Sequence, residues 1–124
     1  MATVELTHST FEETVSAEGI KLVDFWASWC GPCRQFAPVY DRVSERHPDV
    51  VFAKVDTEDQ PELAAAFDIR SIPTLLIVRD GVTLYANPGA LSETALEGLI
   101  TQARELDMDE VRKAVAARSE GAAA

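Results

Sequence analysis

The sequence predicts an α/β domain, with a central mixed five-stranded sheet flanked by about four helices and a helical extension at the C-terminus. Three observations carry this. Strand-like and helix-like patterns alternate along the chain. Residues 20–27 are almost uniformly apolar, as a strand buried on both faces of a parallel sheet requires. Asp80-Gly81 separates two short apolar runs in the manner of a two-residue hairpin turn.

The elements follow in order. Residues 4–6 alternate like a short strand, and Ser9 with Glu12 has the spacing of a capping box for a helix to about Ala17, which Gly19 ends. After the apolar strand, a second helix is expected from Pro32 or Cys33 to His47. Pro32 suits its first turn, where a missing N–H costs nothing; Pro38, inside it, is expected to kink it. Residues 50–55 read as a strand and residues 61–67 as a short alanine-rich helix. Residues 74–78 and 82–86 form the hairpin, and residues 91–106 the last amphipathic helix, with Ser92 as its cap. The order βαβαβαββα gives parallel strands through two right-handed crossovers, and the hairpin adds an antiparallel edge. Such a sheet opens its functional end at the carboxyl tips of its strands. Asp107 or Asp109 is placed to cap a further helix through Ala117, and residues 121–124 read as a frayed end.

At 124 residues the chain holds one domain, and its 47% apolar and 26% charged composition is that of a globular protein. No apolar run approaches the ~20 residues that cross a bilayer. The N-terminus has neither the basic region nor the apolar core of a signal peptide, so a cytoplasmic location is expected. A net charge of −10 speaks against nucleic-acid binding, which needs a basic face, and serves solubility.

The chemistry concentrates in Trp26-Ala27-Ser28-Trp29-Cys30-Gly31-Pro32-Cys33-Arg34, which holds the only two cysteines. A strand that ends in Cys-x-x-Cys and turns into a helix sets one thiol at the helix N-terminus. Unpaired backbone N–H groups and the positive end of the dipole there favour thiolate, the form that attacks disulfides. As a staple the pair would close a very small loop and restrict the unfolded chain little. Thiol–disulfide exchange is the reading that results.

With the preceding Lys21-Leu22-Val23-Asp24-Phe25-Trp26 and, about forty residues later, Ser71-Ile72-Pro73-Thr74, this block resembles the thioredoxin family in its bacterial form. The resemblance covers roughly residues 3–104 and implies the thioredoxin fold over residues 1–106, with residues 107–124 as an extension. It implies Cys30 as the attacking nucleophile, at the exposed lip of the helix, and Cys33, more buried, as the resolving thiol. Gly31 and Pro32 would tune the pair toward reduction. Asp24 would be the general acid/base, with Lys54 as its partner. Trp29, Ile72, Pro73, Gly89 and Ala90 would form the substrate-docking rim, with Ile72-Pro73 in the cis form. Phe25 and Trp26 are expected in the core. The resemblance further implies a protein-disulfide reductase that contributes to cell redox homeostasis and works as a monomer. It would bind no cofactor and draw on NADPH indirectly, through thioredoxin reductase. Its clients, by analogy, would be peroxiredoxins, ribonucleotide reductase and methionine sulfoxide reductases.

The sequence departs from the family pattern at Pro88, where an aliphatic residue is usual, and at Asp68 and Ser71, where glycines are common. Arg34 replaces a more usual lysine. Three other functions compete. A structural zinc wants four ligands, and Cys30 and Cys33 have only the distant His47 and His8 to join them. A binding module would use the fold without turnover. An oxidase or isomerase usually carries a histidine beside the second cysteine, where this chain has Pro32.

Overall fold

The apolar run is the middle of the sheet in a computed structural model, which describes the backbone of residues 2–123 and side chains as far as residue 118. The elements are β1 (Thr3–Glu5), α1 (His8–Ser16), β2 (Ile20–Trp26), α2 (Gly31–Arg46), β3 (Val51–Asp56), α3 (Pro61–Ala66), β4 (Thr74–Arg79), β5 (Val82–Pro88), α4 (Glu93–Glu105) and α5 (Met108–Ala123). The strands lie in the order β1-β3-β2-β4-β5. Alternation along β2 divides the core between the two faces of the sheet. Leu22 packs with Phe36, Tyr40 and Val43 of α2 and Leu96 and Ile100 of α4. Val23 and Phe25 pack on the other face with Phe11 of α1 and Leu63 of α3.

β1, β3 and β2 are parallel, but antiparallel pairing is not confined to the hairpin: β4 already runs antiparallel to β2. The connection from β3 carries only the six-residue α3, about 9 Å long, and the chain re-enters the sheet at the end it left. Thr74 accordingly pairs with Phe25, near the carboxyl end of β2.

Local signals were read differently by the fold at two places. The cap of α1 is Thr7, not Ser9: Thr7 is extended, and its N–H donates to Thr10 Oγ1 at 2.9 Å. Ser9 falls inside the first turn because β1 already ends at Glu5. Within the apolar β2, Lys21 is buried as well as Asp24. Its ammonium donates to the carbonyls of Ala17, Glu18 and Gly19 in the turn after α1, so the buried charge meets full dipoles. Pro38 leaves α2 one continuous helix. The hairpin turn has positive φ at both Asp80 (52°) and Gly81 (79°), the geometry a two-residue loop needs to follow strand twist.

Ser92 Oγ caps α4 by accepting the Ala95 N–H at 3.1 Å. The other end of α4 is closed by Arg79, whose Nη1 reaches the carbonyls of Ala103, Arg104 and Leu106 at 2.8, 3.3 and 3.0 Å. Asp107 caps α5 through the N–H groups of Asp109 and Glu110, Met108 is buried, and Arg112 lies 3.6 Å from Asp80. Helix continues to Ala123, past Ala117 and past Gly121; Ala124 lies outside the described residues.

Arg79 and Arg112 separate two kinds of charge contact. Arg79→Ala leaves three carbonyls of a helix end without their cation and is expected to cost about 2 kcal/mol. Arg112→Ala removes solvent-reached pairs with Asp80 and Asp109 and is expected to cost under about 0.5 kcal/mol. Urea denaturation of the two variants against wild type measures both.

Candidate active site

β2 ends at Trp26, and four residues, Ala27 to Cys30, turn the chain into α2. Cys30 is the N-cap of that helix, with extended backbone (φ −84°, ψ 116°). Its Sγ accepts the Cys33 N–H at 3.2 Å, and its carbonyl accepts the Arg34 N–H at 3.1 Å. A sulfur thus takes the position that a serine or aspartate oxygen fills in an ordinary cap. Pro32 occupies the first turn, where its missing N–H breaks no bond. No positive φ and no close neighbour requires glycine at position 31. Cys30 and Cys33 form a disulfide with their Cα atoms 5.2 Å apart.

The two sulfurs do not divide into an exposed and a buried member. Cys30 is 4% exposed and Cys33 3%. In the disulfide, Cys30 Sγ turns inward and lies 3.6 Å from the Ile72 carbonyl, and Ile72 and Trp26 pack around the pair. Their position on the helix, not their exposure, distinguishes them.

The Ile72–Pro73 bond is cis. The Pro73 carbonyl accepts the Gly89 N–H at 2.8 Å, and Gly89 has φ +112°, a conformation that favours glycine. Ile72, Pro73 and Gly89 are thereby gathered beside the cysteines. Ala90 follows Gly89 on the exposed surface, and Trp29 stands 65% exposed at the lip. The Trp29 ring is held by Glu58 from the turn after β3: its Nε1–H donates to Glu58 Oε1 at 2.6 Å. Sequence reasoning missed Glu58, since the bond spans 29 positions. Phe25 is fully buried, whereas Trp26 is half-buried. The departures Asp68, Ser71 and Pro88 line one largely apolar cavity of about 230 Å³. Asp68 there has φ +53°, the reason a glycine fits its position well.

Asp24 is 1% exposed on the α2 face of β2, and its Oδ1 has no hydrogen-bond partner. Lys54 is its register partner on β3, but the two form no ion pair within 4.0 Å; the Lys54 ammonium lies over the Trp26 ring, 4.5 Å from its centre. Burial pushes the Asp24 carboxyl up to about 7, with Lys54 pulling it back and Glu5 adding to the rise. Tyr40 of α2 also faces this carboxyl. Burial and Asp24 hold the phenol neutral, and its O–H donates to the Ala53 carbonyl at 2.7 Å.

Residues 2–102 match the family model described as Thioredoxin. The chain belongs to the thioredoxin family. It is 64% identical over 115 residues to a Streptomyces coelicolor protein named as a thioredoxin 2, covering 93% of this chain and 86% of that one. It is 45% identical over 93 residues to thioredoxin 1 of Synechococcus elongatus, covering 73% and 87%. Among solved structures, a Malassezia sympodialis thioredoxin matches with a TM-score of 0.73 at 30% identity, covering 81% of this chain and 89% of that one. The thioredoxin family is one of thiol–disulfide oxidoreductases, and Cys30–Cys33 is the redox-active pair in this member. Among the described residues, no three His, Cys, Asp or Glu side chains are grouped to hold a metal, and no helix is long and apolar enough to cross a membrane.

The Asp24 carboxyl sets a pH dependence of stability. Between pH about 4 and about 7 the folded chain keeps a proton that the unfolded chain has released, so stability falls as pH rises through this window. Asp24→Asn lacks this loss. It is expected to match wild type near pH 4 and to exceed it by roughly 3–4 kcal/mol at pH 8, measured by urea unfolding at both values.

Proposed function

We propose that the chain is a protein-disulfide reductase in which Cys30 attacks and Cys33 resolves. The observation that carries this reading is the capping of α2 by Cys30 Sγ, with the Cys33 N–H directed at it. In the reduced protein the same N–H group and the helix dipole stabilise a Cys30 thiolate. That thiolate attacks one sulfur of a client disulfide, forming a mixed disulfide and expelling the other client sulfur as thiolate. Cys33 then gives its proton to Asp24, attacks the Cys30 sulfur and releases the second client thiolate. The client gains two electrons, and the chain is left with the Cys30–Cys33 disulfide described above.

Asp24 suits the acceptor role because burial brings its proton affinity near that of neutral solution, where a base works in both directions. Lys54 moderates that affinity. Trp29, Ile72, Pro73, Gly89 and Ala90 form the apolar rim against which an extended client segment lies, pairing with the Ile72 backbone as an added strand. Gly31-Pro32 supplies no histidine to stabilise the thiolate further, which favours the reducing direction. Residues 1–106 constitute the redox domain and residues 107–124 an appendage.

The donor that restores the dithiol is a flavin- and NADPH-dependent thioredoxin reductase. Peroxiredoxins, ribonucleotide reductase and methionine sulfoxide reductases are clients by family analogy. The protein serves redox homeostasis in the cytoplasm as a monomer.

The test is reduction of insulin disulfides with dithiothreitol as electron source. Wild type is expected to precipitate insulin chains rapidly and Cys30→Ser to add nothing to the reagent alone. Cys33→Ser is expected to accumulate a covalent one-to-one client complex, detected by non-reducing electrophoresis. A Cys33→Ser protein with full turnover and no trapped complex contradicts the assignment.

A further inference from the structure

The parallel register of β1, β3 and β2 aligns a row of charges that the two cysteines and Asp24 do not exhaust. Glu5 of β1 is paired with Lys54 of β3, and Lys54 with Asp24 of β2. Residues paired directly across neighbouring strands project from the same face. Carboxylate, ammonium and carboxyl therefore stand in line, spanning about 10 Å at two strand spacings. The line also runs from solvent inward: Glu5 is exposed, Lys54 half-buried and Asp24 buried.

Lys54 is not committed to Asp24. Its ammonium lies over the Trp26 ring, and Asp24 Oδ1 is left without a partner. The ammonium forms no ion pair within 4.0 Å with Glu5 either, so one cation stands between two carboxyl groups in direct contact with neither, and whatever draws it outward weakens its hold on the inner one. We propose that Glu5 is a positioning residue for the dithiol chemistry: across the β1–β3 register its charge draws Lys54 outward, keeps the ammonium off Asp24, and so sets the pH at which the buried carboxyl exchanges a proton with Cys33.

The surrounding charges agree with this arrangement. Partial burial of its carboxyl pushes Glu5 up, Lys54 and the Trp26 indole pull it down, and Asp56 and Asp59 push it up again. Asp24 is raised first by burial, lowered by Lys54 and raised further by Glu5, while Tyr40, facing it from α2, stays neutral. Removing the Glu5 charge acts on Asp24 in one direction by both routes. It deletes a repelling anion and releases Lys54 toward the buried carboxyl.

The proposal rests on the reading of Asp24 as the acceptor of the Cys33 proton, and the experiment separates the two. Carbon-13 NMR of the Asp24 carboxyl gives its titration midpoint in wild type, Glu5→Gln, Glu5→Lys and Glu5→Asp. Stopped-flow release of the second thiolate from an aromatic disulfide reagent gives the pH profile of resolution. In Glu5→Gln the midpoint is expected to fall from near 7 by roughly half a unit or more, further in Glu5→Lys, with Glu5→Asp returning it toward wild type. The resolution profile is expected to move to lower pH with it. Midpoints unchanged in both Glu5→Gln and Glu5→Lys overturn the proposal. A midpoint that moves while the resolution profile stays fixed also overturns it, and traces the failure to the role of Asp24, because Glu5 then controls a carboxyl that resolution does not use.

Discussion

The site depends on one junction, where the carboxyl end of β2 meets the N-terminus of α2 at Cys30. A helix begins with N–H groups that have no partner within it, and here a sulfur accepts one of them. The arrangement, together with the helix dipole, stabilises negative charge at Cys30. It also sets the two thiols in different positions on the helix. Cys30 stands outside the helix, beside the carbonyl of Ile72. Cys33 begins the line Cys33, Phe36, Tyr40 that faces the sheet. The buried face of β2 and the cap of α2 are consequences of the same apolar strand, so fold and reactivity are not separable here.

The second constraint is a carboxyl that the fold would be more stable without. Asp24 sits in a core strand with an unsatisfied oxygen, a position where burial favours its neutral form. Lys21, three residues earlier in β2, shows how the same strand meets a buried charge: three carbonyls accept from its ammonium. The contrast is informative. Lys21 is met by backbone dipoles, whereas Asp24 Oδ1 has no partner, an environment in which a buried carboxyl keeps its proton up to about neutral pH.

Much of the fold was legible in the sequence because its strongest signals are local. The apolar strand, the Asp80-Gly81 turn, the Ser92 cap and the Cys-x-x-Cys block each declare themselves within a few residues. What was not legible depends on direction or on distant partners. Ser9–Glu12 and Thr7–Thr10 have the same spacing, and only the point where β1 stops selects Thr7. The direction of β4 is not carried by any pattern within β4, since alternation reads the same for parallel and antiparallel pairing. At the site, the motif located the cysteines, but the burial of Cys30 came from the Ile72 loop that folds over it. Glu58, which holds Trp29, and Glu5, in register with Lys54, carried no signal because only the folded chain brings these partners together.

The most direct measurement is alkylation of the reduced protein with iodoacetamide across a pH series, with the modified cysteine located by peptide mapping. Modification of Cys30 alone, with a midpoint clearly below the ~8.5 of a free cysteine, is the result this account predicts. Modification of Cys33 at an equal rate, or a Cys30 midpoint at or above the ordinary value, would contradict it.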